Sequence, residues 1–151
     1  MRTYDEQTRA AVLKAIRRIV VAECQASGSP RDPDFELFDG FPATTNDPDV
    51  TRQVAEAFDV HFGDRASELP VQSASEDFSD IPRAFGVPYT YWGIGGNDPE
   101  TYRAAVDSGR VAQDIPVNHS PAFAPVLQPT LDTGTEALVV AALAWLHPAS
   151  D

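Results

Sequence analysis

VPYTYWGIGG, residues 87–96, is the stretch on which the fold class turns. Val87, Thr90 and Ile94 are β-branched, Tyr89, Tyr91 and Trp92 are aromatic, and glycines close the run. A run of that kind predicts a buried strand. A second candidate lies upstream in DFELFDGFP, residues 34–42, where Phe35, Leu37 and Phe41 alternate with polar neighbours. That alternation has the period of a strand.

Helical patterns flank both. The first runs from about Tyr4 to Ala26. Thr3 and Glu6 fit a capping box, and Val12, Leu13, Ile16, Ile19 and Val20 recur at three- and four-residue steps. Arg9, Lys14, Arg17 and Arg18 fall on the other face, a solvated one, and Gly28 is the expected stop. NDPD starts a second helix, with Asp47 as cap, Pro48 in the first turn and Asp49 at the positive end of the dipole. Val50, Val54, Ala57, Phe58 and His61 line one face of it, and His61 reads as the edge of that face. NDPETYRAAVDSG repeats the device, capped by Asp98, entered at Pro99 and stopped at Gly109. A last helix, about Thr130 to Leu146, carries Leu131, Leu138, Val139, Ala142, Leu143 and Leu146, and Pro148 closes it. In order the chain reads helix, strand, helix, a composition break at 63–70, a loop, strand, helix, loop, helix. The class expected is α/β, with few strands for its helices.

Composition bounds the function. The 151 residues are 42% hydrophobic and 23% charged, enough for a globular core. A formal net charge of −12 repels phosphate, so neither nucleic acid nor an anionic membrane surface is expected as a partner. One cysteine, Cys24, excludes an internal disulfide and a cysteine-based zinc site; it reads as a small packing residue. MRTYDEQTR has no apolar core of a signal peptide, and the apolar run from Ala137 to Leu146 is short of the ~20 residues that span a bilayer. A cytoplasmic protein is the expectation.

Few residues invite chemistry. In SASEDF, Glu76 and Asp77 follow a serine; Ser73 and Glu76 also fit a capping box, and a helix start and a ligand site are compatible there. His119 sits in VNHSPAFAP, residues 117–125, where a Ser-Pro turn would hold its imidazole. It reads either as a metal ligand or as a polar residue closing a turn. A zinc ion needs three or four protein ligands, and no second histidine lies at ligand spacing. His147, beside Pro148, reads as solvent-facing. No phosphate loop is present, GIGG does not complete a dinucleotide fingerprint, and no G-x-S-x-G elbow occurs.

In chain order, RTYDEQTRAAVLKAIRRI, GFPATTNDPDVTRQV, SASEDFSDIP, PYTYWGIGG and NHSPAFAPVLQPTLDTGTEALVVAALAWL resemble the C-terminal part of the metal-dependent amidohydrolases, the aminoacylase and carboxypeptidase family with hippurate and auxin-conjugate hydrolases. The resemblance covers nearly the whole chain, and S-E-D-F and N-H-S-P are its most specific elements. It implies a mixed-sheet catalytic domain with two zinc or manganese ions. It also implies an inserted α+β lid, with a four-stranded sheet and two helices, that makes a dimer contact. Residues 1–66 would be the later half of the lid, and residues 67–151 the C-terminal segment of the catalytic domain.

By resemblance, His119 is the last metal ligand. Ser75, Glu76 and Asp77 border the substrate cleft, and Arg2 contacts the substrate carboxylate, for which a planar fork is suited. Ala74-Ser75 stands where many relatives have Gly-Ser. The family's His-x-Asp pair, bridging acid, adjacent glutamates and further histidine, which supply the remaining ligands and the general base, are not in this sequence. The expectation is therefore a fragment, inactive alone and binding no metal stably. With its missing N-terminal half it would hydrolyse N-acyl amino acids or related small amides, and it would form a homo-oligomer through the lid. The other expectation is a non-catalytic association module that pairs with a related chain. Either way, unpaired edges and bare apolar faces predict poor solubility or self-association of the isolated chain.

Overall fold

All the regular structure in the computed structural model is helical; residues 1–38, 40–74 and 76–146 are described. Six α-helices follow one another: α1 (Glu6–Ala26), α2 (Pro48–Phe62), α3 (Asp80–Phe85), α4 (Pro99–Asp107), α5 (Val111–Asp114) and α6 (Leu127–Leu146), with a 3-10 turn at Gly63–Arg65. The α/β expectation is overturned, and with it the mixed sheet and the lid sheet: the described residues contain no strand. The reason lies in pairing. Aromatic and β-branched residues favour an extended backbone, but a strand also needs a ladder partner. Residues 87–96 find only a fragment of one. Asp47 N–H donates to the Tyr89 carbonyl at 2.8 Å. Tyr91 N–H donates to Asn46 Oδ1 at 2.8 Å, and Asn46 Nδ2 donates to the Tyr91 carbonyl at 2.9 Å. A side-chain amide satisfies one residue's two backbone groups and cannot propagate a ladder. The described residues of the 34–42 stretch likewise form no strand, with Leu37, Phe38 and Phe41 exposed.

Capping explains where the helices begin. The N-cap of α1 is Asp5, not Thr3: Asp5 Oδ1 accepts the Thr8 N–H at 2.7 Å and Oδ2 accepts the Thr8 hydroxyl at 2.7 Å. A carboxylate can accept both at once and favours the positive helix end, so it displaces the threonine. The Thr8 N–H and hydroxyl hold the Asp5 carboxyl below the ordinary aspartate range. Asp47 Oδ1 accepts the Asp49 and Val50 N–H groups, each at 3.0 Å, and Asp98 Oδ1 accepts the Thr101 N–H at 2.8 Å, as expected of both. Gly28, just past α1, has φ +68°, a left-handed position that favours glycine. The regular part of α6 starts after Gln128, whose φ −119° and ψ 136° are extended.

The chain forms two units, one of residues 1–50 and 69–91, the other of residues 51–68 and 92–151. In the second unit, the Gln53 side chain donates to the Ala144 carbonyl at 2.6 Å and His61 Nε2 meets Glu136 Oε2 at 3.3 Å. Residues 53 and 61 thus pair with 144 and 136, which makes α2 and α6 antiparallel. Val54, Ala105, Ile115, Ala137 and Ala141 are buried there. Phe58 meets Phe62 and Trp92 edge-on at 5.6 and 5.5 Å between ring centres. Gly96 marks a close approach: a Cβ there would lie 3.2 Å from Pro125 Cβ, beside the bond from Val126 N–H to the Gly96 carbonyl at 2.9 Å.

In the first unit, α1 buries no residue completely, and the Arg17 guanidinium lies 5.2 Å over the Phe35 ring. The chain exposes 12114 Å² in all. Even two separately compact bodies of half its mass would together expose only ~9,000 Å². Much apolar surface is therefore bare, including Leu131, Leu138, Trp145 and Leu146 on α6. No helix among the described residues is long and apolar enough to cross a membrane.

Candidate functional site

The acidic loop of the first unit is built on aromatic packing. Phe78 sets its ring against Tyr91 and Tyr89, with centroids 5.1 and 5.7 Å apart. Tyr89 in turn accepts the Thr45 N–H on its hydroxyl oxygen at 3.0 Å. With Phe78 so held, Glu76 folds back on its own loop. Its Oε1 accepts the Asp77 N–H at 3.0 Å and the Phe78 N–H at 3.2 Å, and its Oε2 accepts the Tyr91 hydroxyl at 3.0 Å. The Tyr91 hydroxyl, then the Phe78 N–H, hold the Glu76 carboxyl below the ordinary glutamate range. The same bond pushes the Tyr91 phenol above its ordinary value, and partial burial adds to that.

Arg2 joins the loop: its guanidinium Nη1 donates to the Ser73 carbonyl. A guanidinium has five N–H donors, so that single bond leaves the fork able to meet a carboxylate. Asp77 is exposed, and its carbonyl accepts the Asp80 N–H at 3.0 Å. Ser75 lies outside the described residues, as do His147 and Pro148. The capping box expected of Ser73 and Glu76 does not form. α3 starts only at Asp80, after Ser79, and Glu76 spends its carboxylate on its two following N–H groups and on Tyr91. Ser79 is fully buried, and its hydroxyl makes no hydrogen bond among the described residues.

His119 belongs to the second unit. Ser120 N–H donates to the Val117 carbonyl at 3.0 Å, which closes a β-turn with His119 in its third position. His119 has φ +69°, and it alone among the described non-glycine residues has positive φ. A type II turn demands that geometry, usually of Gly or Asn, and a side chain there costs roughly 1–2 kcal/mol. The next turn follows at once: Phe123 N–H donates to the Ser120 carbonyl at 3.0 Å, and the Ser120 hydroxyl oxygen accepts the Ala122 N–H at 3.2 Å. The imidazole is exposed and makes no hydrogen bond among the described residues. A strained, solvent-facing imidazole on a doubly turned loop is available to a ligand.

The described residues hold no group of three or more His, Cys, Asp or Glu side chains placed to share a metal ion. One imidazole does not fill a zinc or manganese centre, so the residues present do not by themselves fit the metals that the resemblance implies. The chain thus brings Arg2 and the 73–77 loop together in one unit, while His119 is part of the other. Reading the sequence missed Asn46 and Tyr91. Asn46 counted only as the lead-in to a helix cap, and Tyr91 only as a strand aromatic; nothing local marks either as the other's partner. No protein-family model matches the chain.

Proposed function

We propose that this chain supplies one metal ligand, His119, and a substrate-side loop to a metal-dependent amidohydrolase whose other ligands and general base come from outside these residues. N-acyl amino acids or related small amides are the substrates of this reading. The observation that carries it is the His119 turn: a non-glycine residue held at φ +69° in a loop, with its ring unspent among the described residues. Backbone strain of that kind gathers at ligand sites. The ordered motifs ending in N-H-S-P support the same reading, and the Arg2 fork beside the acidic loop offers a mate for a carboxylate.

A second reading, a non-catalytic association module, draws on a separate observation. The chain leaves Leu127, Leu131, Leu138, Trp145 and Leu146 exposed on α6, and large bare apolar surface marks interaction sites. One experiment separates the two. The purified chain is assayed for bound zinc and manganese and for cleavage of N-acyl amino acids, alone and mixed with the N-terminal half of an amidohydrolase of that family. Activity in the mixture alone, abolished by His119→Ala, is the expected result. A mixture that associates but stays inactive favours the module. Stoichiometric metal and turnover by the isolated chain overturn the idea of an incomplete centre.

A further inference from the structure

We infer that Glu76 is a positioning residue: its carboxylate fastens the 76–78 loop to the 89–91 segment through Tyr91, and it is not itself a ligand for substrate. The inference rests on the amidohydrolase reading for what the loop faces; the fastening stands on geometry alone. Both oxygens are occupied from within the chain. Oε1 takes two backbone N–H groups, at 3.0 and 3.2 Å, and Oε2 takes the Tyr91 hydroxyl at 3.0 Å. A carboxylate oxygen with two N–H donors has both lone pairs in use. Tyr91 is pinned at its other end as well, because Asn46 satisfies its backbone N–H and carbonyl at 2.8 and 2.9 Å. Asn46, Tyr91, Glu76 and the Phe78 N–H thus form a continuous polar chain, and the Phe78 ring packs along it. Of the acid pair, Glu76 builds the loop, and Asp77 is the more exposed.

The two ends of the fastener titrate at opposite limits. The Glu76 carboxyl is held low, so its contribution is present above the unfolded glutamate value of about 4.3 and is lost as pH falls through the lower folded value. The Tyr91 phenol is held high, so its contribution is present below about 10 and is lost as pH rises through the higher folded value. Between those limits the bond is closed. Tyr91 is the one phenol that either Glu76 oxygen touches among the described residues.

The test is an ultraviolet titration of the tyrosines in the full chain, alongside amide exchange at neutral pH. The wild type shows a late-ionising phenol that is absent from Tyr91→Phe. In Glu76→Gln that phenol ionises at lower pH than in the wild type. In Glu76→Ala the Asp77 and Phe78 amides exchange at least roughly fivefold faster. A late phenol that persists in Glu76→Gln, or unchanged exchange in Glu76→Ala, overturns the inference. Where the mixture with an N-terminal half is active, Glu76→Gln keeps measurable kcat and raises KM, whereas a direct ligand for the reacting group would lose kcat. Neither the titration nor the exchange needs an active enzyme, so failure of the amidohydrolase reading leaves them decisive.

Discussion

The second unit buries Val54, Ala105, Ile115, Ala137 and Ala141, whereas the first buries only Ser79 and Pro82 among its described residues. The second has an apolar interior, those five residues together with the Phe58, Phe62 and Trp92 rings. The first adds directed polar bonds to the packing of Phe78 on Tyr89 and Tyr91: Asn46 to Tyr91, Glu76 to Tyr91, Arg2 to the Ser73 carbonyl. The two kinds of cohesion fail differently. Apolar burial is non-directional and roughly proportional to area, so it tolerates small shifts. A hydrogen bond is worth little net, yet a buried group robbed of its partner bears the full desolvation cost.

The largest effect that separates the units is a charge placed in the aliphatic core. Val54 is 5% exposed, facing the second unit's interior. Val54→Asp leaves a carboxylate there without a partner, a cost of roughly 3–5 kcal/mol. Both tryptophans, Trp92 and Trp145, belong to the second unit, so their fluorescence reads that unit alone. The expected outcome is a red-shifted, unfolded tryptophan spectrum in the variant. Amide protection at Tyr91 stays as in the wild type. Loss of protection at Tyr91 to the same extent would show the two regions to be one cooperative body.

Asn46→Ala is the converse, and milder. It strips Tyr91 of the partners for its N–H and carbonyl and, because water reaches that exposed residue, costs about 0.5–1.5 kcal/mol. Exchange at Tyr91 accelerates while the tryptophan spectrum holds. An unchanged Tyr91 amide would mean that the 89–91 segment is held by its aromatic rings alone.

This contrast also accounts for what the sequence disclosed. Helices and their caps were legible because capping is local: Asp47 and Asp98 lie within three residues of the N–H groups they accept. Even the miss at α1, Asp5 instead of Thr3, was a competition between neighbours. The strands were not legible, because a strand depends on a distant partner. Residues 87–96 form no strand: Tyr91 finds its backbone mates in one side chain 45 positions away, and Tyr89 in the Asp47 N–H, not in a second strand. The candidate site divides the same way. The turn that holds His119 can be read from Asn-His-Ser-Pro, whereas the bond between Glu76 and Tyr91, 15 residues apart, carries no local signal. The capping box suggested by Ser73 and Glu76 lost to that longer-range bond.

The smallest effect tests Ser79, which with Thr44 is one of two residues of the polar unit whose buried hydroxyl oxygen has no partner among the described residues. Ser79 precedes α3 with φ −66° and ψ −16°, already helical. A good N-cap is extended, which turns its oxygen toward the N–H groups two and three residues on. In the helical conformation the hydroxyl points elsewhere, and it is fully buried with no partner among the described residues. Such a group forfeits its hydration and gains nothing in return. Ser79→Ala removes the oxygen, keeps the Cβ and suits the helical backbone better. The variant is therefore expected to be more stable than the wild type, by about 1 kcal/mol, read as slower amide exchange through Arg83 to Val87. Those amides bond back into the turn of α3, Arg83 N–H to the Ser79 carbonyl at 3.1 Å and Val87 N–H to the Pro82 carbonyl at 3.1 Å, so they report its opening directly. Faster exchange there would mean that the hydroxyl has a partner in solution, and that the polar unit is more completely satisfied than its bonds imply.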